Sequence, residues 1–175
     1  MPPTRANFTV THHTIMGLLG GHRMTIPELQ RPFAWTPEQA RELCGDIEKM
    51  LEIGDGEEAL PQHFFGTLVV LTQPGKRDEI IDGQQRMTTV TLLLGLIQTS
   101  FRDLRDRCRA IAALSEHNKT VAAHHLAISE NANAMEITVR NLVWVSSGHA
   151  DENGNIAYVP RIEVSTEIRK TYLGL

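Results

Sequence analysis

The chain has 175 residues, of which 41% are hydrophobic and 22% are charged, and these ordinary proportions exclude a disordered or fibrous chain. Its net charge of −4 and isoelectric point of about 6.0 point to no strongly basic DNA-gripping surface, although a local basic patch stays open. Its two cysteines, Cys44 and Cys108, form no Cys-x-x-Cys pair and exclude a disulfide framework, which indicates a reducing compartment.

The beginning of the chain predicts a short helix, an extended segment and a rigid loop. Apolar residues over 15–19 indicate the helix, which ends at the glycine pair 20–21. Residues 23–27 predict a brief extended segment. The loop 28–35 contains Pro32, which disfavours helical geometry at the residue before it.

A longer helix is predicted to start at Pro37. Thr36 provides a hydroxyl cap, proline suits the first helical position, and Gln39 follows the cap at the spacing of a capping box. Apolar residues then recur at helical spacing, at Ala40, Leu43, Ile47, Met50 and Leu51. The Gly-Asp-Gly segment 54–56 is expected to end this helix.

The middle of the chain predicts a β-hairpin followed by a long helix. The segment 63–72 is rich in β-branched and aromatic residues and predicts a buried strand. A turn over 73–76 and a second strand over 78–81 complete the hairpin. The long helix begins at Gly83, and its apolar face is formed by Met87, Val90, Leu94, Ile97, Phe101 and Leu104.

The rest of the chain predicts a further helix and a further hairpin. We interpret the mixed charges of 102–109 as a solvated helix end with ion pairs, in preference to a DNA-binding stripe. Residues 117–134 predict the helix, and the segments 137–145 and 156–164 predict strands around the turn 151–155. Together the elements predict one α+β domain over 1–175, with its strands around one long central helix.

No segment predicts export or membrane insertion. The first ten residues lack the basic-then-apolar pattern of a signal peptide. The longest apolar stretch, 90–97, is interrupted and too short to span a bilayer. We therefore expect a cytoplasmic protein without membrane partners.

The segment 82–86, Asp-Gly-Gln-Gln-Arg, is the strongest candidate for a functional site. A helix N-terminus after a glycine offers amide groups and partial positive charge to a phosphate, and Gly83 allows close approach. Arg86 could fork onto a phosphate oxygen, and Asp82 could hold Mg²⁺ beside it. Alternatively, Asp82 and Gln85 form a capping box and only satisfy helix amides. Both interpretations stay open at this point.

A second candidate is the loop segment 30–35, Gln-Arg-Pro-Phe-Ala-Trp. Gln30 and Arg31 could reach into a shared pocket, while Phe33 and Trp35 could stack on a nucleotide base or on DNA. Taken alone, the segment is better explained as a loop anchored in the core by its aromatic residues. The sequence contains no zinc-ligand spacing, serine-hydrolase elbow or Walker-type glycine loop.

Taken together, these motifs resemble one known family. Their order along the chain is 26–35, 46–47, 63–69 and 80–89, followed by Val-Pro-Arg-Ile at 159–162. In this order they resemble the N-terminal domain of GmrSD-type modification-dependent restriction endonucleases, a ParB/sulfiredoxin-like family. Its relatives include SspE proteins, which act against phage lacking phosphorothioate marks on DNA. The resemblance spans roughly residues 15–165, and the joint motif is more specific than its pieces.

The resemblance implies a fold and a site. The fold is ParB/sulfiredoxin-like, with a small mixed sheet packed around the long helix that follows the Asp-Gly-Gln-Gln-Arg segment. The activity is Mg²⁺-dependent binding and hydrolysis of a nucleoside triphosphate, GTP or another. The implied catalytic residues are Asp82, Gln84, Gln85 and Arg86, with Asp82 at the metal. The implied nucleotide-binding residues are Gln30, Arg31, Gly83 and Arg86. Phe33 stands where the family often has tyrosine, so a role that needs that hydroxyl is not expected.

The resemblance also implies a C-terminal HNH nuclease domain, which is absent from this sequence, so we expect a further domain or a partner subunit to cut DNA. The leading hypothesis is a regulatory NTPase of an anti-phage restriction endonuclease that couples sensing of modified or phage DNA to the nuclease. The alternative is a ParB-like DNA-binding module switched by nucleotide without hydrolysis. DNA cleavage by this domain itself ranks last, because no carboxylate pair suits two-metal chemistry. A homodimer stays open.

Overall fold

The computed structural model describes residues 8–27, 33–53, 63–115, 117–150 and 156–163. Within these ranges the elements are α1 (Ile15–Gly21), β1 (Met24–Thr25), α2 (Pro37–Ile53), β2 (Val69–Leu71), β3 (Asp78–Asp82), α3 (Gln84–Leu114), α4 (Lys119–Val143), β4 (Trp144–Ala150), β5 (Ile156–Pro160) and β6 (Ile162–Glu163). None of the helices described is both long enough and apolar enough to cross a membrane.

Four of the strands form one mixed sheet in the order β2, β3, β1, β6. Strand β1 runs parallel to both β3 and β6, whereas β2 and β3 form an antiparallel hairpin. Strands β4 and β5 pair separately as an antiparallel ribbon. The predicted α+β class, with a small mixed sheet and a long helix, is therefore confirmed, while the likeness to ParB and sulfiredoxin stays a prediction.

The hydrophobic core lies where α1, the sheet and the start of α3 meet. Five elements contribute one side chain each, and each of these side chains is at most 2% exposed: Leu19, Met24, Ile80, Met87 and Ile162. Burial of a side chain of this size contributes about 1.5–3 kcal/mol. Because Ile80 and Met87 flank the junction between β3 and α3, the core fixes the backbone that carries the Asp-Gly-Gln-Gln-Arg segment.

Helices α3 and α4 form an antiparallel hairpin with a polar seam between them. The seam consists of Gln98, Arg105 and Arg109 on α3 and of Ser129, Asn133 and Glu136 on α4. Glu136 is only 5% exposed, and its carboxylate accepts a hydrogen bond from Gln98 Nε2 at 3.0 Å. The second carboxylate oxygen lies 3.6 Å from Nη1 of Arg105. The buried charge is therefore both hydrogen-bonded and paired, as a folded protein requires.

Side-chain caps begin both α1 and α2, and the cap of α2 confirms its predicted start. Thr14 caps α1 through the Gly17 amide, which donates to its hydroxyl at 3.0 Å. At the start of α2, the Thr36 amide donates to Gln39 Oε1 at 2.9 Å, and the Gln39 amide donates to Thr36 Oγ1 at 3.5 Å. These reciprocal bonds form the predicted capping box.

The charged segment 102–109 lies within α3, which continues to Leu114, so the predicted helix end is wrong, whereas the predicted ion pairing is present. Arg105 Nε donates to Asp106 at 2.8 Å, and this hydrogen bond lowers the pKa of the Asp106 carboxyl. The same guanidinium reaches Asn133 on α4 at 3.3 Å. The arginine is therefore committed to contacts within the protein, which favours the ion-pair interpretation over a DNA-binding stripe.

Two further expected element boundaries and one expected buried residue are wrong. The segment 63–72 is a strand only over Val69–Leu71, because Gly66 adopts a positive φ of 100° that interrupts extended pairing. The segment 137–145 belongs to α4 as far as Val143, and the strand starts only at Trp144. Its β-branched residues fit the helix because tertiary packing on α3 overrides their weak local preference. Leu104, predicted on the buried face of α3, is 42% exposed.

Some predicted features lie outside the described residues. These are the part of the rigid loop that contains Gln30, Arg31 and Pro32, the helix-ending segment 54–56 and the turn 151–155. The turn at 73–76 is described and is confirmed, since the Lys76 amide donates to the Gln73 carbonyl at 3.1 Å.

Arg161 ties the ends of two helices to the sheet. Its Nε donates to the Asn141 carbonyl at 2.7 Å near the end of α4, and its Nη1 donates to the Gly20 carbonyl at 3.3 Å near the end of α1. Its own carbonyl accepts from the Met24 amide of β1 at 2.8 Å. A cation suits helix C-termini, where carbonyls lack partners and the helix dipole is negative. The Pro-Arg-Ile segment is thus a structural junction.

We predict that Arg161→Ala lowers the free energy of unfolding by about 1.5–3 kcal/mol, the range for hydrogen bonds to a charged group. Arg161→Lys is expected to lose less, because it keeps the charge but cannot reach both carbonyls with a planar fork. Urea denaturation followed by circular dichroism measures both. The matched control is Arg23→Ala, which removes an exposed arginine beside the same strand. A loss equal to that of Arg23→Ala would contradict the role of Arg161 as a junction.

Candidate active site at the start of α3

A cleft of about 480 Å³ opens at the N-terminus of α3. Its described lining consists of Trp35, Ile81, Asp82, Gly83, Gln84, Gln85 and Arg86. Three pieces of chain therefore meet there: the loop before α2, the end of β3 and the first turn of α3. The structure brings together all of the segment 82–86 and one of the two aromatic residues that sequence patterns singled out.

The junction between β3 and α3 differs from the predicted capping box. Asp82 is the last residue of β3, and the N-cap of α3 is Gly83, which has a φ of 89° and provides no side-chain hydrogen bond. A Cβ at Gly83 would lie 2.8 Å from Cδ1 of Leu68 and 3.2 Å from the Thr67 carbonyl oxygen. Glycine is required by both the backbone conformation and the space. The alternative in which Asp82 and Gln85 form a capping box is therefore wrong, and Asp82 is exposed at the cleft.

Arg86 holds the segment before β2 against the first turn of α3. Its Nη1 donates to the Phe65 carbonyl at 3.1 Å, and its Nη2 donates to the Thr67 carbonyl at 2.7 Å. A guanidinium has five N–H donors, so two carbonyl bonds leave donors for a further acceptor in the cleft. Arg86 can thus join a ligand in the cleft to the 63–68 segment.

Gly66 makes this contact possible. It lies between the two carbonyls that accept from Arg86, with a φ of 100°. A Cβ at this position would overlap Nη1 of Arg86. Sequence reasoning assigned no role to Gly66, although a glycine inside an apolar, β-branched segment signals close backbone approach.

Gln85 connects α3 to the loop before α2, which forms another part of the cleft lining. Its Oε1 accepts a hydrogen bond from the Ala34 amide at 2.8 Å, which connects α3 to the loop that carries Trp35. Both Gln85 and Gln84 are buried, with 6% and 7% of their surface exposed, although both line the cleft. Buried glutamines in the first helical turn place polar atoms where they are shielded from bulk water.

The two aromatic residues of the 30–35 segment have different surroundings. Phe33 is half-buried and packs against the hydrophobic core, whereas Trp35 is half-buried and lines the cleft. The anchor interpretation therefore fits Phe33, and Trp35 is the aromatic surface open to a ligand. Gln30 and Arg31, the further nucleotide-binding residues predicted from the sequence, lie outside the described residues.

The charges at the cleft suit a phosphate and an accompanying cation. The first-turn amides of a helix point out of its N-terminus, and Arg86 adds a full positive charge beside them. Asp82 supplies a carboxylate at the same opening. Among the described residues, no three His, Cys, Asp or Glu side chains could together hold a metal ion. Mg²⁺ bound with a nucleotide needs only one or two carboxylates, because phosphates and water complete its shell. Asp82 fits that role.

A smaller groove of about 190 Å³ shares Trp35 with the cleft. Its other described lining residues come from α2 and are Gln39, Glu42, Leu43 and Asp46. Sequence reasoning did not connect α2 with the site. The available signal was the pair of carboxylates four residues apart, which places both on one face of the helix just after the aromatic loop.

Comparison with known proteins identifies a family for most of the chain. A family model described as GmrSD restriction endonuclease, N-terminal domain, matches residues 15–161. The match includes the lining of the cleft, Gly66 and Arg161. No curated protein matches the sequence.

Proposed function

Because the chain belongs to the family of GmrSD restriction endonuclease N-terminal domains, we propose that it binds and hydrolyses a nucleoside triphosphate in the cleft at the start of α3. It thereby regulates a DNA restriction system. Membership in the family supports the role in restriction. The nucleotide is proposed from the geometry of Gly83 and Arg86.

One observation carries this proposal: a glycine N-cap, a helix N-terminus and an arginine converge on one open cleft. Gly83, in the left-handed conformation, places the start of α3 on the lining of the cleft. Anions bind at such helix starts because the amides point at them and the helix dipole is positive there. Arg86 lies one turn inside, on the lining of the same cleft. A triphosphate is an anion of suitable size for about 480 Å³.

The chemistry proposed is attack of water on the γ-phosphorus. The new P–O bond forms as the bond to the β,γ-bridging oxygen breaks, which yields a nucleoside diphosphate and inorganic phosphate. Mg²⁺, held by Asp82 and the phosphates, supplies charge neutralisation when it is bound. The free donors of Arg86 stabilise the charge on the transferring group, and Gln84, a buried residue of the same cleft lining, orients the attacking water. Gln85 positions the Trp35 loop through Ala34.

The proposed coupling to DNA is based on the two chain segments that Arg86 and Gln85 contact. Arg86 bonds the backbone of the 63–68 segment, and Gln85 bonds the loop before α2. A nucleotide that draws on the donors of Arg86 changes how firmly the 63–68 segment is held. We propose that modified or phage DNA is sensed through such a change and that a separate nuclease domain or subunit responds.

The same contacts favour a second candidate function. Because Arg86 and Gln85 are already bonded to backbone, the cleft could act as a nucleotide-operated switch for DNA binding without hydrolysis. Under this alternative, a nucleotide would bind tightly and turn over slowly, if at all. Single-turnover measurements separate binding from chemistry and hence the two functions.

The test is phosphate release from ATP, GTP, CTP and UTP by the 175-residue chain with and without Mg²⁺, in wild type and in Asp82→Asn. We expect Mg²⁺-dependent release that falls about 10–100-fold in Asp82→Asn, the usual range for losing a group that supports a metal. Glu79→Gln, on the same strand but outside the cleft lining, is the control and should retain activity. Binding without turnover would support the switch, and absence of both would exclude a nucleotide site.

A further inference from the structure

The groove between Trp35 and α2 continues the candidate site on the other side of the tryptophan. Trp35 lines both the cleft at α3 and this groove. A volume of about 190 Å³ is below the usual size of a pocket for a drug-sized ligand and therefore suits one ring system and not a whole nucleotide. The larger cavity therefore has phosphate-binding features, and the smaller one lacks them.

The lining of the groove has the composition of a base site. Trp35 offers an aromatic surface for stacking, and Leu43, which is buried, offers an apolar floor. The polar groups there are Gln39, whose Oε1 is occupied by the Thr36 amide, and the carboxylates of Glu42 and Asp46. A carboxylate only accepts hydrogen bonds and the Gln39 amide nitrogen only donates, so the groove presents carboxylate acceptors together with one amide donor.

Glu42 is the acceptor that stays available for a ligand. Asp46 lies 3.4 Å from the Lys49 ammonium, an exposed pair on the same helix. Glu42 makes no ion pair with any residue in the described ranges and is exposed at the groove. A ligand that donates two hydrogen bonds side by side would use both oxygens of Glu42 at once.

We infer that this groove is the base subsite of the proposed nucleotide site and that Glu42 makes it select guanine. The inference rests on the proposed function, since it names the base of that nucleotide. The base stacks on Trp35 and presents its Watson–Crick edge to Glu42. Glu42 is thus a specificity-determining residue.

Guanine is selected because its hydrogen-bonding edge matches a carboxylate. Guanine has two adjacent donors, N1–H and the N2 amino group. Adenine and cytosine have one amino donor beside a ring nitrogen that accepts, and uracil has one N–H between two carbonyls. An acceptor facing an acceptor leaves both desolvated and unpaired, which costs binding energy. The acidic groove also repels a nucleic-acid phosphate, so single-stranded DNA is disfavoured there.

The experiment is calorimetric titration of the 175-residue chain with the non-hydrolysable β,γ-imido analogues of GTP, ITP and ATP and with inorganic tripolyphosphate, all in Mg²⁺, which the proposed phosphate site requires. ITP lacks only the N2 amino group. We expect GTP to bind at least about tenfold more tightly than ATP, because one bidentate hydrogen-bonded contact distinguishes bases by about that factor. ITP should bind with an affinity between the two. In Glu42→Gln the GTP-to-ATP preference should fall at least about fivefold, with tripolyphosphate unchanged. Glu48→Gln, exposed on the same helix and outside the groove lining, should leave the preference intact.

The tripolyphosphate arm distinguishes failure of this inference from failure of the proposed function. If tripolyphosphate and all nucleotides bind but Glu42→Gln leaves their ranking unchanged, guanine selection by Glu42 is wrong and the phosphate site stands. If neither tripolyphosphate nor any nucleotide binds, both the subsite and the nucleotide site are excluded. A preference for ATP in the wild type would likewise overturn guanine selection.

Discussion

Gly66→Ala is expected to disable the cleft as thoroughly as Arg86→Ala, with triphosphate turnover falling about 10²–10³-fold in each variant, the usual loss for one charge-stabilising donor. The two residues lie 20 positions apart, yet a Cβ at Gly66 would occupy the space of the Arg86 Nη1 atom. Arginine is flexible enough to move aside, so the main consequence is displacement of its guanidinium from the cleft. Alanine at a φ of 100° also destabilises the fold by about 1–3 kcal/mol.

A double-mutant cycle tests whether the two substitutions act through one contact. If Gly66→Ala acts by displacing Arg86, the double variant should be no slower than Arg86→Ala alone, because the contact is already lost. Arg86→Lys should resemble Arg86→Ala, since one ammonium cannot donate to both carbonyls in the fork geometry. Phosphate release, with circular dichroism to verify folding, is measured for the wild type and all four variants.

Gly75→Ala is the matched control for backbone strain. Gly75 has a φ of 74° in the turn between β2 and β3, and a Cβ there would meet nothing within 4 Å. It should therefore reproduce the strain of Gly66→Ala without displacing a side chain. Equal losses of turnover in Gly66→Ala and Gly75→Ala would attribute the effect to strain and exclude a specific role for Gly66.

The sequence predicts the surroundings of the site better than the contacts inside it. The glycine before α3, the capping box of α2 and the hairpin from β2 to β3 follow from local preferences, and all three are confirmed. Such features depend on residues a few positions apart, whose geometry is set by the backbone alone.

The contacts of Gln85 and Arg86 could not be predicted in the same way. Their partners, Ala34, Phe65 and Thr67, are 19 to 51 residues away along the chain. Each partner contributes a backbone group, which every residue type has, so no residue pattern marks it. The predicted capping box of Asp82 and Gln85 had the right spacing. It fails because Asp82 stays in β3 and the Ala34 amide uses the Gln85 oxygen.

Boundaries were least predictable where local preference and packing disagree. The end of α4 contains β-branched residues that favour a strand, yet Val139 and Val143 are buried and helical. Burial of an apolar side chain outweighs the few tenths of a kcal/mol by which such residues disfavour a helix. Conversely, Gly66 interrupts a segment whose composition favours a strand throughout.

Glu136→Ala is expected to lower the free energy of unfolding by about 1.5–3 kcal/mol, the range for losing hydrogen bonds to a charged group, since Arg105 keeps Asp106 as an ion-pair partner. Removing the carboxylate leaves the Gln98 amide without its acceptor and Arg105 without the charge on α4 that faces it. It also leaves a cavity between two helices that pack along much of their length. Because α3 carries the cleft at its N-terminus, the loss should reduce turnover only through the unfolded fraction.

The control for Glu136→Ala is Glu130→Ala, an exposed glutamate on the same helix, which should change stability by no more than about 0.5 kcal/mol. The double variant Arg105→Met with Glu136→Leu should recover much of the lost free energy of unfolding. Apolar packing can replace a buried ion pair, whereas removal of one partner leaves the other without its charge. Urea denaturation curves measure the free energy of unfolding of each variant. If Glu136→Ala matches Glu130→Ala, water reaches the seam and the pair contributes nothing. If the double variant is as unstable as Glu136→Ala, the polar contacts of the seam are required for the packing of α3 against α4, beyond neutralising a buried charge.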